Sequence, residues 1–272
     1  MQDKSPLERA MHMVRDLRHR CSWDRAQTRE TLRPYLVEEV LELDHALAQG
    51  SVEEIRAEVS DLMLHLAFQL VIAEERTEFT ADDVAATLES KMRRRHPHLF
   101  ELGEAEAWEH IKRRERGGQV LAGIVPTLPS LLMAFRLQER AASVGFDWPG
   151  TEGPVEKVRE ELQEVEELLG ERGTEPADSD PNSPGTPPSE HLVEEIGDLL
   201  FTVVNLARKV GVQPGPALDR ANGKFRRRFE GIERLAGERG IDLTSAGLEV
   251  LDRLWDEAKA RDTAGVSASG TQ

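Results

Sequence analysis

Cysteine is almost missing from this chain: Cys21 stands alone among 272 residues. One thiol excludes an intramolecular disulfide, and with no second Cys or His at ligand spacing it excludes a structural zinc site. A reducing compartment is the expectation. Aromatic residues are scarce, at 5%, and β-branched runs are few, which argues against a sheet protein. The longest apolar stretch, around 62–73, is too short and too interrupted to span a bilayer, and the opening M-Q-D-K-S-P-L-E-R lacks the apolar core of a signal peptide. A soluble, cytoplasmic protein without a membrane partner is expected. Basic charge is in deficit too, with 35 Lys and Arg against 51 Asp and Glu and a net charge of -16. That balance excludes a nucleic-acid polymer as the main partner, but not a small phosphate ligand carried by a metal.

What is present is a helical pattern, and the fold class expected is all-α. Apolar residues recur at Leu7, Met11, Val14 and Leu17, and again at Leu36, Val40, Leu43 and Leu47 on a helix expected to open at Pro34. Ser51 followed by Glu54 forms a capping box for a third helix reaching about Glu75, and Thr80 caps a helix over 81–95. A helix around 105–116 closes a first domain, 1–116. The Gly- and Pro-rich stretch 117–130 is expected to be a linker, and a second helical domain to occupy 131–261. Within it, about 170–190 is too rich in Pro, Gly and acid to pack and is expected to be a disordered loop, as is the tail 262–272.

The second domain repeats the polar signature of the first. Glu38-Glu39-x-x-Glu42 answers to Glu160-Glu161-x-x-Glu164, and Glu58-x-x-Asp61 to Glu195-x-x-Asp198. Lys91 and Arg95 answer to Lys224 and Arg228, and Trp108 with Lys112 to Trp255 with Lys259. So many polar and aromatic positions kept in order point to an internal duplication.

Taken alone, E-E-x-x-E on an amphipathic helix is an ordinary solvated face. The E-x-x-D pairs differ, because they interrupt apolar helices. Glu195, Asp198, Thr202 and Asn205 form one polar stripe on the segment 193–204, and Glu58, Asp61 and His65 do so upstream. Buried carboxylates need a cation or a metal opposite them. If the two helices of each half pack antiparallel, Glu161, Glu164, Glu195 and Asp198 converge, as do Glu39, Glu42, Glu58 and Asp61. Hard oxygen ligands without thiols suit Mg²⁺, with Mn²⁺ the alternative. Beside such a cluster, Lys224 and Arg228, four apart on one face, suit phosphate oxygens, although as an isolated pair they are surface charge. Trp255 fits either a core or a stack against a base.

These motifs together resemble the two-domain MazG family of nucleoside triphosphate pyrophosphohydrolases. The likeness covers about residues 7–260 and includes the peptides R-R-R-H-P-H-L-F and V-G-F-D-W. It implies a dimeric all-α protein built of four-helix units that cleaves nucleoside triphosphates between the α and β phosphates with Mg²⁺, as in nucleotide-pool house-cleaning. In that scheme Glu161, Glu164, Glu195 and Asp198 hold the metal, Lys224 and Arg228 hold phosphates, and Trp255 lies by the nucleotide, with Asn205 and Lys259 beside them. The second copy offers Glu39, Glu42, Glu58 and Asp61 with Lys91, Arg95, Trp108 and Lys112. The chain departs from the family in the thirty residues between Glu164 and Glu195, longer than the usual interval because of the Pro-rich loop.

Two other readings stay open on the residues. Glu42-Leu-Asp-His45 has the spacing of a carboxylate-bridged di-iron site, although Glu167 replaces the histidine in the repeat. A catalytically silent helical interaction module would also keep such acids. Between the copies, the C-terminal one is expected to be catalytic, because its polar stripe continues to Thr202 and Asn205 whereas the N-terminal one runs to His65 and Phe68.

Overall fold

The computed structural model describes residues 5–101, 103–106, 108–115, 117–171 and 188–269, with 108, 109, 171 and 263–269 described by backbone alone. Most of the expected loop at 170–190 therefore lies outside the described residues, as do the last three of the chain. The described residues are helical, without a strand, and no helix among them is long and apolar enough to cross a membrane. The chain divides into two compact units, Met1–Glu106 and Ala107–Gln272.

In the first unit, α1 (Pro6–Arg20), α2 (Ser22–Ala26), α3 (Arg29–Gln49), α4 (Val52–Glu75) and α5 (Ala81–Arg95) are followed by a 3₁₀ turn at Pro97–Leu99. Four of these helices start on a reciprocal capping box. Ser5 and Glu8 open α1, Thr28 and Thr31 open α3, Ser51 and Glu54 open α4, and Thr80 and Asp83 open α5. Each box satisfies two backbone groups that the first turn leaves without partners. Thr28 also corrects the expected start of the second helix. Pro34 lies inside α3 rather than at its opening, since the cap six residues upstream nucleates the turn before the proline is reached. The apolar side of α4 packs on α1 and α3 around Met11, Val14, Leu32, Phe68, Val71 and Ile72, all nearly inaccessible.

The second unit holds α6 (Trp108–Glu115), α7 (Ser130–Ala142), α8 (Glu152–Glu171), α9 (Glu190–Lys209), α10 (Pro214–Arg239) and α11 (Leu248–Ser269). Helix α9 packs against α8 and α7, and α10 against α11 and α7. Ile232, Leu235, Ala236, Leu254 and Ala258 form the α10–α11 core. Gly231 allows that approach, because a Cβ there would stand 3.0 Å from Ala258 Cβ. The last helix is longer than the expected end near residue 260 and runs through most of the segment assigned to the tail. Ala264 and Ala268 favour that continuation, against Gly265 and the weaker helix formers Thr263, Val266, Ser267 and Ser269.

Candidate metal and nucleotide site

Each unit gathers three carboxylates on a pair of packed helices. On α8 and α9, oxygens of Glu161, Glu164 and Glu195 lie within 4.8 Å of one another; on α3 and α4, those of Glu39, Glu58 and Asp61 do the same. The convergence follows from helical spacing. Glu161 and Glu164 are three apart and share a face of α8, which meets the face of α9 that carries Glu195. Asp198 falls one turn beyond Glu195, is exposed, and stands outside the tight group. Glu42 likewise is outside the group in the first unit, although its charge is felt at Glu39. Each expected set of four is thus a set of three with one outlying acid.

The crowding shows in the ionisation of the group. Burial holds the Glu164 carboxyl above the usual carboxylate range, and the charges of Glu161 and Glu195 push it further the same way. Burial does the same to Glu39, with Asp61, Glu42 and Glu58 adding to it. Such a set takes up either protons or a cation.

Two neighbours were not expected from the sequence. Lys157 Nζ lies 2.6 Å from Glu161, a buried carboxylate, and 2.8 Å from Glu160. Hydrogen bonds to these two acids hold the ammonium well above the usual lysine range. Its i,i+4 spacing to Glu161 was the signal in the sequence. His191 Nε2 lies 3.1 Å from Glu195 on the same helix. In the first unit, buried His65 sits 3.9 Å from Glu39, with burial holding its pKa down.

The expected phosphate and base residues lie on α10 and α11. Lys224 is exposed, whereas Arg228 donates from Nε to Asp262 at 3.2 Å and places its guanidinium 5.8 Å from the centre of the Trp255 ring. Trp255 also packs on the α10–α11 core and on Phe225, with ring centroids 5.4 Å apart. Lys259 follows one turn later on α11. Among the described residues, no ion pair joins Lys224 or Arg228 to Glu161, Glu164 or Glu195. Lys91 and Arg95 lie on α5 and Lys112 on α6; the side chain of Trp108 is outside the described residues.

Asn205 continues the α9 stripe into a second feature, a cavity of about 580 Å³ between α7, the turn 143–151 and α9. Arg208 is among its lining residues. It pairs with Asp147, which its hydrogen bonds hold below the usual carboxylate range, and donates to Asn205 Oδ1 at 2.8 Å. Lys209 braces the same turn through Asp147 at 3.1 Å and the Trp148 carbonyl at 2.7 Å. The V-G-F-D-W peptide is thereby fastened to α9 by its aspartate.

Similarity to known proteins extends over most of the chain. Residues 27–100 match the family described as "MazG nucleotide pyrophosphohydrolase domain". Over 250 residues the chain is 41% identical to the nucleoside triphosphate pyrophosphohydrolase/pyrophosphatase MazG of Thermotoga maritima, covering 89% of this chain and 90% of that protein. It is 37% identical over 264 residues to the nucleoside triphosphate pyrophosphohydrolase of Escherichia coli, covering 93% and 95%. A nucleoside triphosphate pyrophosphohydrolase of Mycobacterium tuberculosis is 37% identical over 147 residues, half of this chain and 45% of its own length.

Proposed function

Because the chain belongs to the MazG family, which relatives matching it nearly end to end establish, we propose a mechanism in which its carboxylate triplets serve nucleoside triphosphate hydrolysis. It is an enzyme, a nucleoside triphosphate pyrophosphohydrolase. The observation that carries the mechanism is the convergence of Glu161, Glu164 and Glu195 from two helices to within 4.8 Å.

The donor set fits a hard divalent cation. It is all oxygen, it is mutually repulsive, and Glu164 is already biased toward protonation by its neighbours. Glu161, Glu164 and Glu195 would hold Mg²⁺, with Asp198 one turn along α9 completing the set through water or a second ion. The ion would neutralise the triphosphate and orient the attacking water. Of the protein groups, a carboxylate of the set takes the proton of a water that attacks the α-phosphorus. The bond from the α-phosphorus to the bridging oxygen breaks, and the products are a nucleoside monophosphate, pyrophosphate and one proton. Lys224 and Arg228 then meet phosphate oxygens.

The active species is a homodimer. Val193, Ile196, Leu200 and Val203 run along one side of α9 at spacings of three and four, each more than 40% exposed, with Leu162 and Leu169 exposed on α8. An apolar stripe of this kind is costly in water and suits a second copy. The two units are products of a duplication, the second being the catalytic one, and the protein acts in the cytoplasm on the nucleotide pool.

Product analysis tests the reaction. Hydrolysis in ¹⁸O-labelled water with Mg²⁺ is expected to place label in the monophosphate and none in pyrophosphate. Nucleoside diphosphate and orthophosphate as the first products would refute it.

A further inference from the structure

The acids of the two units converge at different places on their helix pairs. In the second unit the triplet takes two members from α8 and only Glu195 from α9, leaving Asp198 outside. In the first it takes Glu39 alone from α3 and both Glu58 and Asp61 from α4, leaving Glu42 outside. The cluster on α4 thus reaches one turn further along its helix. What lies on that side differs too. His65 follows Glu58 by seven residues, and at the same interval after Glu195 stands Thr202. An imidazole occupies the place of a hydroxyl.

That imidazole is buried without compensation. His65 is 7% exposed, and its Nδ1 is sealed in the fold with no hydrogen-bond partner. Its Nε2 faces Glu39 Oε1 at 3.9 Å, beyond hydrogen-bond reach. Burying a polar ring with neither nitrogen satisfied is costly, and native proteins rarely leave such groups unmet. His65 stands outside the tight triplet, next to its α3 member. The Glu39 side chain keeps 22% exposure, so an ion has a way in from solvent to the nitrogen that faces the acids.

Spacing suits a shared ion. Two donors bound to one ion at about 2.1 Å stand roughly 3–4 Å apart, which admits the separation of Nε2 from Glu39. Asp61 lies four residues before His65 on the same face of α4, an interval at which two side chains of one helix grip a single metal. Donor type then decides which ion. Mg²⁺ takes oxygen ligands and keeps its waters, which fits the all-oxygen triplet of the second unit. Imidazole nitrogen favours first-row transition ions, whose affinity for mixed nitrogen and oxygen sites rises from Mn²⁺ to Cu²⁺.

We propose that the first unit holds a divalent transition-metal ion through Glu39, Asp61 and His65 Nε2, with Glu58 beside them. The chain then carries two metal centres of different preference, and the ion of the first ties α3 to α4. This site needs no nucleotide, so it stands or falls apart from the hydrolase reading.

The test uses the full chain carrying Glu195→Gln, which weakens the second triplet, with no nucleotide present. Co²⁺ and Mg²⁺ are titrated separately by calorimetry. Proton NMR follows the Co²⁺-loaded protein, where the N–H of a ligating imidazole resonates far outside the ordinary range; Nδ1–H of His65, sealed from water, exchanges slowly enough to be seen. Adding His65→Gln is expected to lower Co²⁺ affinity by about tenfold or more, leave Mg²⁺ affinity within about twofold and abolish the shifted N–H. Asp61→Asn, which keeps the ring, is expected to weaken Co²⁺ and its shifted resonance as well, and it decides the matter if circular dichroism shows His65→Gln unfolded. Unchanged Co²⁺ affinity in the variants, a shifted N–H absent from the parent or persisting without His65, or losses equal for the two ions would overturn the assignment; equal losses would mark His65 as shaping the site without ligating.

Discussion

Replacing Glu195 by Gln, beside the matched Glu58→Gln, asks which triplet performs the reaction. Each substitution removes one ligand charge at nearly constant shape. Loss of a side chain that merely orients a metal ligand costs about 10–100-fold, so loss of a ligand charge should cost at least the upper end, a hundredfold or about 2.7 kcal/mol of barrier. The structure predicts that this loss is not a folding defect. Glu195 is among the charges that raise the Glu164 carboxyl, so Glu195→Gln relieves repulsion in the metal-free protein and its Tm is expected to hold or rise. His191, 3.1 Å away and largely exposed, loses only a surface partner. The assay is initial-rate pyrophosphate release under saturating Mg²⁺, with thermal melts of both variants. Glu195→Gln is expected to lose a hundredfold or more and Glu58→Gln little. Equal losses would mean two working sites, the reverse order would move catalysis to the first unit, and a large fall in Tm would void the argument from charge.

Other outcomes follow from the same geometry. Glu164 and Glu39 have carboxyl pKa values raised in the fold, so their contribution to stability is fully present below the unfolded value and is lost as pH rises through the folded one. A divalent cation reverses that loss, and the Tm gained on adding Mg²⁺ is expected to be larger at pH 8 than at pH 5; equal gains in a melting series would refute it. Lys157→Met removes the cation that holds Glu161, so Mg²⁺ binding without nucleotide should tighten, and weaker binding by calorimetry would show that Lys157 positions the acids instead. Deleting 175–188, where Ala177 is the sole hydrophobic residue, is expected to leave both melting temperature and kcat within about twofold; a selective loss of kcat would mark the segment as a working lid.

The helices themselves were legible because their signals are local. Ser51 with Glu54 and Thr80 with Asp83 sit within four residues of the turns they cap, and the apolar period of α4 is continuous. Pro34 misled, because proline favours helix openings while the decisive pair, Thr28 and Thr31, lay upstream. The acids were readable as helix faces. Which three of four converge depends on how α8 crosses α9 and on rotamers, and neither is written in spacing. Lys157 stands at i,i+4 from Glu161, a spacing readable in the sequence, but the burial of Glu161 that makes the pair matter comes only with the fold. The cavity could not have been read at all: the bond from Gln138 to the Phe201 carbonyl joins residues 63 apart, and an unmet donor or acceptor exists only once the surrounding chain is placed.

The reciprocal capping boxes found among the described residues fall between Ser5 and Asp83, whereas α7 and α10 open without any side-chain cap. During synthesis the amino-terminal segments emerge first and domains form as units in that order. The helices of the first unit thus acquire their boundaries from residues at most four apart, while the ribosome is still adding the second. In a chain with an acidic helix pair in each unit the hazard is exchange between them, one unit completing itself with a helix of the other. Unequal capping favours early completion of the first unit, which would leave α3 already paired with α4 when α9 leaves the exit tunnel.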